Sequence, residues 1–160
     1  MRATFFVVGD KIEKHLDILN RARSEGHSIA NHTYFHTVYN RNSEPDYLSE
    51  IAKTQDLLDG YGLSTNRFFR PPHGRISRSL IKKLHQSGYR TVMWKLLSWD
   101  FDPTINPLHS LQKLKRRTRP GHIVVFHDSK KAYSSLKIIL PPYLAFLKEK
   151  GWRSEVLQAL

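Results

Sequence analysis

Two histidines stand four residues apart in the stretch NHTYFH, residues 31–36. Neutral imidazoles at that spacing, in one short loop or turn, can both reach a divalent ion. The pair alone is weak evidence, because nine histidines in a chain of 160 residues produce such spacings readily. Other ionisable residues are Arg70, before Pro71, Pro72, His73 and Gly74; Asp100 and Asp102, flanking Phe101; and His127 with Asp128. The chain has no cysteine, so a metal would be held by His, Asp or Glu, which suits a borderline-to-hard divalent ion.

Patterning predicts the elements that position these residues. ATFFVVG reads as a buried strand. Asp10 is placed to cap a helix over 11–25, with Ile12, Leu16 and Leu19 on one face and Gly26 as the stop. HSIAN is a short strand that ends at the histidine pair. Ser43 and Pro45 open a helix with Leu48, Ile51 and Leu58 inward and Gly60 after it. RFFR is a strand stopped by Pro71-Pro72, and Ser77 caps a helix carrying Leu80, Ile81 and Leu84 up to Gly88. YRTVMWKLLS is read as one strand, Leu108, Leu111 and Leu114 as a helix, and HIVVFH as a strand. The last helix, roughly 130–150, is interrupted or opened by Pro141-Pro142, and RSEVL closes the chain as a strand. Alternating strands and helices predict a parallel sheet or barrel, whose sites gather at the C-terminal strand ends. Every predicted strand end but the first carries polar or ionisable residues: His32 and His36, Arg70 to Gly74, Asp100 and Asp102, His127 and Asp128. Scattered surface histidines would not do this.

The length fits about one domain, residues 1–160, without repeats, low-complexity segments or linkers. At 39% hydrophobic residues, no apolar run approaches the roughly 18 residues that span a membrane. Residues 1–8 do not read as a secretory signal; the chain is cytoplasmic only as written, and the sequence does not name the compartment. The net charge of +12 admits nucleic acid, a membrane surface or an acidic glycan as a partner. No nucleic-acid motif supports the first, however, and the clearest basic cluster, KLKRRTR (113–119), falls on a helix end, where cations also suit the dipole. Nothing speaks to oligomeric state.

The segments ATFFVVG, GHSIANHTYFH, RFFRPPHG, VMWKLLSWDFDP and IVVFHDSKKA, in this order, resemble the polysaccharide deacetylase family, also called the NodB-homology domain or carbohydrate esterase family 4. The resemblance covers nearly the whole chain. It implies an α/β fold, a distorted (β/α) barrel, and a metal-dependent hydrolase that removes acetyl groups from N-acetylated sugars in polymers. It also implies roles. His32 and His36 match the metal-binding histidines, with zinc expected and cobalt, nickel or manganese as alternatives. Arg70 matches the arginine that holds the catalytic carboxylate, and a guanidinium fork can grip one bidentately. Pro72, His73 and Gly74 match the loop whose backbone faces the oxyanion; the family usually has an aromatic residue at the position of His73. His127 matches the general acid, needed because an amine leaves only once protonated. Trp99, Phe101 and Phe126 are candidates either for a sugar pocket or for core packing.

The sequence departs from the family twice. Adjacent aspartates, the family's catalytic base and third metal ligand, occur nowhere in these residues. The chain starts inside what should be the family's second strand, so the barrel is expected to be N-terminally incomplete and the chain alone poorly active or inactive. Either an upstream segment is absent or the chain is a catalytically inactive carbohydrate-binding relative. The second departure is Leu97, at the position where the family often has the Asp that orients the acid histidine. Asp100 is the preferred substitute, with Asp102 as the other candidate and Pro103 turn chemistry as the bland account of both.

Overall fold

The computed structural model describes residues 1–40 and 43–158, the side chain of Thr65 excepted. The elements run β1 (Thr4–Val7), α1 (Gly9–Ile12), α2 (Leu16–Ser24), β2 (Ser28–Asn31), α3 (Glu44–Gly60), β3 (Ser64–Phe69), α4 (Arg78–Gln86), β4 (Arg90–Thr91), β5 (Leu96–Leu97), α5 (Pro107–Arg117), β6 (Val124–Val125) and α6 (Tyr133–Glu149). This is the expected α/β alternation, and every strand pairing is parallel. The chain divides into two compact units, residues 2–93 with Ser154 onward, and residues 94–153 with Met1. No helix among the described residues is long and apolar enough to cross a membrane.

The first unit carries a sheet in the order β1-β2-β3-β4. Val7 pairs with Asn31, and Asn31 with Phe69, after a register shift between Ile29 and Asn31. That shift draws β3 forward until three strand ends lie flush. The His32 N–H then bonds the Val7 carbonyl (3.0 Å), and the Arg70 N–H bonds the Asn31 carbonyl (3.0 Å). The residue following each inner strand therefore emerges at one edge, as a parallel sheet requires. Beneath the sheet, Ile12, Leu19, Ile29, Leu58 and Leu63 form one apolar cluster. Tyr47, Ile51, Phe69, Leu80, Leu84 and Tyr89 form another.

The second unit pairs β5 with β6 and packs α5 on α6. Leu111, Leu114, Ile139, Tyr143 and Leu147 make its core. Ile139, Tyr143 and Leu147 repeat every four residues on one face of α6. Their burial holds α6 continuous through Pro141 and Pro142, where a break or start was expected, against the roughly 3 kcal/mol cost of an interior proline.

Several local expectations are corrected. Residues 89–98 are two short strands rather than one. The Val92 N–H reaches Phe69, whereas the Lys95 and Leu96 N–H groups both turn to Ile123, so the segment changes partner midway. The closing RSEVL is not a strand. Single bonds tie it to β1, from the Arg2 N–H to the Ser154 carbonyl and from the Leu157 N–H to Thr4 Oγ1, without a ladder. Asp10 lies inside α1 rather than capping it and pairs with Lys11 at 2.5 Å, and the predicted helix 11–25 is split by a 3-10 turn at Glu13–His15. Ser77 caps α4 as expected, its Oγ accepting the Leu80 N–H at 3.1 Å, but Ile81 turns outward.

Gly9 is where the sheet meets the histidine loop. Its N–H bonds the Thr33 carbonyl (2.9 Å), and the Asp10 N–H bonds that of Tyr34 (3.0 Å). A Cβ at Gly9 would lie 2.5 Å from Thr54 Oγ1, 2.6 Å from Tyr34 Cδ2 and 3.1 Å from the Tyr34 Cα. Space, not backbone freedom, makes glycine necessary here. Gly9→Ala is therefore expected to cost about 2–3 kcal/mol by urea denaturation. A loss below about 0.5 kcal/mol would show that the loop yields freely.

Candidate functional site

The histidine loop is held from several directions. Asn31, fully buried, donates from Nδ2 to the Ile51 carbonyl (2.8 Å), while its Oδ1 accepts the Thr33 N–H (3.1 Å). The Glu50 carboxylate accepts the Phe35 N–H (3.0 Å) and the Thr37 hydroxyl (2.5 Å). With the two bonds from Gly9 and Asp10, these fix residues 33–37 against α1 and α3.

His32 Nδ1 lies 2.6 Å from the Arg70 carbonyl oxygen. A carbonyl can only accept, so Nδ1 carries the proton and the neutral ring presents Nε2 as a lone pair, the usual arrangement of a metal-binding histidine. The His36 ring stands 4.9 Å from that of His32, and the His73 ring 5.1 Å from that of His36. Two adjacent imidazoles, one with its tautomer set by the backbone, fit a borderline divalent ion as part of a donor set. Among the described residues, however, no three His, Cys, Asp or Glu side chains come together to hold an ion. The ring of His73 and the buttressing by Asn31 and Glu50 are features that sequence reasoning missed. Asn31 directly precedes His32, but nothing in the spacing of α3 marks Glu50.

Arg70 is buried, at 9% exposure, with its guanidinium 4.0 Å over the Phe6 ring and Nε donating to the Val92 carbonyl (3.3 Å). Burial pushes its pKa down to about 10, still charged at neutral pH. Pro72 is buried, and the 3-10 turn Pro72–Gly74 directs the Gly74 N–H to the Pro71 carbonyl and the Arg75 N–H to that of Pro72. Gly74 lines a shallow cavity of about 510 Å³ with Tyr39, Asn40 and Ser77.

In the other unit, Asp100 is fully buried and its carboxylate accepts twice from one residue, the His127 backbone N–H (2.7 Å) and His127 Nδ1 (2.7 Å). The ring is thereby fixed with its proton on Nδ1 and Nε2 available for proton transfer. Asp102 does not reach His127; it accepts from the Thr104 N–H (2.9 Å) and hydroxyl (2.7 Å), which hold its pKa below the usual carboxylate range. Phe101 sets its ring 4.8 Å from that of His127, and Trp99 stands 41% exposed beside it, 5.8 Å between ring centroids. Phe126 packs instead on Tyr143 in the core. The turn leading into α6 is held by Ser129, whose Oγ accepts the Ala132 N–H (3.2 Å).

The four non-glycine residues with positive φ among those described are Thr33, His36, His73 and Trp99, at 55–65°. All lie in these segments, and Thr33 and Trp99 are residue types that rarely adopt this conformation. Each such conformation costs about 1–3 kcal/mol, and all four fall in the segments that carry the candidate residues.

A polysaccharide deacetylase family profile matches residues 1–92. Two peptidoglycan-N-acetylglucosamine deacetylases of Bacillus cereus are 27% and 32% identical to the chain, in alignments covering 100% and 94% of it. The chain spans 58% and 71% of the length of those two relatives. A family 4 carbohydrate esterase from Streptomyces lividans, solved in complex with acetate, superposes with a TM-score of 0.82 at 26% identity, over 96% of this chain and 78% of that one. A mutant of a CE4 family pseudoenzyme from Bacillus anthracis, one with restored enzymatic activity, superposes with a TM-score of 0.85 at 25% identity, over 98% of this chain and 56% of that one.

Proposed function

Because the chain belongs to the polysaccharide deacetylase family, we propose that it forms part of a metal-dependent hydrolase that removes N-acetyl groups from a glycan. The observation that carries this is the pairing of His127 with a buried Asp100, which orients the imidazole and leaves its Nε2 for proton transfer. In amide hydrolysis water adds to the acetyl carbon, the C–N bond breaks, and the departing nitrogen must take a proton to leave as an amine. With both ring nitrogens protonated, His127 gives that proton from Nε2 and returns to the neutral ring, while Asp100 holds the Nδ1–H and balances the charge of the imidazolium. His32 and His36 would hold the divalent ion, zinc in this proposal. When bound, such an ion supplies Lewis-acid polarisation of the acetamide carbonyl. The N–H groups of Gly74 and Arg75 are spent within their own turn, so the His73 N–H is the donor this loop offers a developing oxyanion. Arg70, charged and buried, is the partner for a carboxylate base. Trp99, exposed beside Phe101, offers a face for a sugar ring.

The base and a third metal ligand are carboxylates that no adjacent aspartate pair within residues 1–160 supplies. This favours a second reading, an inactive glycan-binding relative, and so does the likeness to a pseudoenzyme whose activity a mutation restores. Acetate release from N-acetylglucosamine oligomers separates the two. The zinc-loaded chain alone is expected to release none detectably, and a variant extended at its N-terminus by a strand carrying an Asp-Asp pair is expected to release it steadily. No acetate from the extended variant, with zinc bound, would favour the inactive reading.

A further inference from the structure

In the second unit, the C-terminal ends of α5 and α6 line an open groove of about 610 Å³, the size of a small-ligand site. Lys115, Arg116, Arg119 and Lys150 contribute to it, and none of them is ion-paired among the described residues. Phe146 and Trp152 also line it, their rings 6.1 Å apart at 83°, with the Lys115 ammonium 5.7 Å over Phe146. Cations in a last helical turn have an ordinary explanation, the helix dipole. Its size decides against that as a full account: two C-termini present about half a negative charge each, so four cations leave a net charge of about +3 in one concave site. Lys150 and Arg119 lie just past the helix ends. Arg119 reaches back with Nη1 to the Arg116 and Thr118 carbonyls, at 2.9 and 2.7 Å, which holds its charge at the groove.

We propose that this groove binds an acidic polysaccharide, with the cations taking its carboxylates or phosphates and the Phe146 and Trp152 rings contacting sugar faces. The choice of a glycan over other polyanions rests on the proposed glycan substrate. The groove would hold an acidic polymer independently of the histidine loop.

The test uses oligogalacturonate as probe, with chitohexaose as the uncharged control and a single-stranded DNA hexamer as the other polyanion, by calorimetry on the whole chain. Arg116 and Lys150 are exposed, so the double variant R116E/K150E should keep its melting profile, which circular dichroism checks. Reversing both charges turns the groove from about +3 to about −1. Oligogalacturonate is expected to bind the unaltered chain and the His32→Ala variant alike, at least tenfold more weakly to the double variant, and at least tenfold more weakly when salt rises from about 50 to 200 mM. Equal affinity in the double variant, or no binding at all, would overturn the proposal. Tighter binding of the DNA hexamer would overturn the choice of glycan in favour of nucleic acid. Zinc binding read on the same samples keeps the two sites apart: a blank for oligogalacturonate with zinc bound discredits the groove alone, and the converse discredits the metal reading alone.

Discussion

Replacing His127 with alanine is expected to cut acetate release by the strand-extended variant about 10²–10⁴-fold, the contribution of a positioned general acid. The side chain is about one-third exposed, and its packing partner is the edge contact with Phe101, so removing it opens little cavity. The buried Asp100 keeps the backbone N–H but loses its Nδ1 donor, so stability should fall by about 1–2 kcal/mol, while zinc affinity should not change, because His127 is not one of the proposed ligands. A rate loss accompanied by intact zinc binding assigns the proton to His127. An unchanged rate would remove the acid from the mechanism.

Asp100→Ala is expected to act in the opposite proportion, with a large loss of stability. The carboxylate is fully buried and accepts two bonds from His127, one of them from its backbone. Alanine leaves that N–H without its acceptor and frees the ring to rotate. The cost should be about 3 kcal/mol, lowering the melting temperature by roughly 10 °C. Asp100→Asn keeps one acceptor but turns an amide N–H₂ toward the second donor, so it should recover only part of the loss. If Asp100→Ala melts within about 2 °C of the unaltered chain, the buried pair is not what fixes His127.

The alternation of strands and helices was legible because each helix carries a buried stripe and each strand a short apolar run. What escaped the sequence were changes of partner. The run from Tyr89 to Ser98 is apolar enough for one strand, but its halves bond different neighbours, β3 and β6, and apolar character does not say which. Residues 153–157 look like a strand because Val156 and Leu157 are apolar, yet only isolated bonds attach them to β1. At the candidate site, the residue types emerging from the strand ends were readable, since a parallel sheet presents them at one edge. The assignment of Asp100 rather than Asp102 to His127 was a preference until geometry separated them: one is buried against the ring, the other turned to Thr104. Asn31 and Glu50 could not be picked out as supports, because that role depends on how α3 packs beneath the loop. The strain at Thr33, His36, His73 and Trp99 is likewise invisible in a sequence, where none of these residue types signals a left-handed backbone.

The most direct test of the metal reading is a calorimetric zinc titration of the chain beside its His32→Ala and His36→Ala variants. Two imidazoles, one preset by the Arg70 carbonyl, should bind zinc measurably, and loss of either should weaken binding at least tenfold. The strand-extended variant, with a third ligand supplied, should bind more tightly than the chain alone. Zinc binding that is absent from both forms, or indifferent to His32 and His36, would contradict the account at its centre.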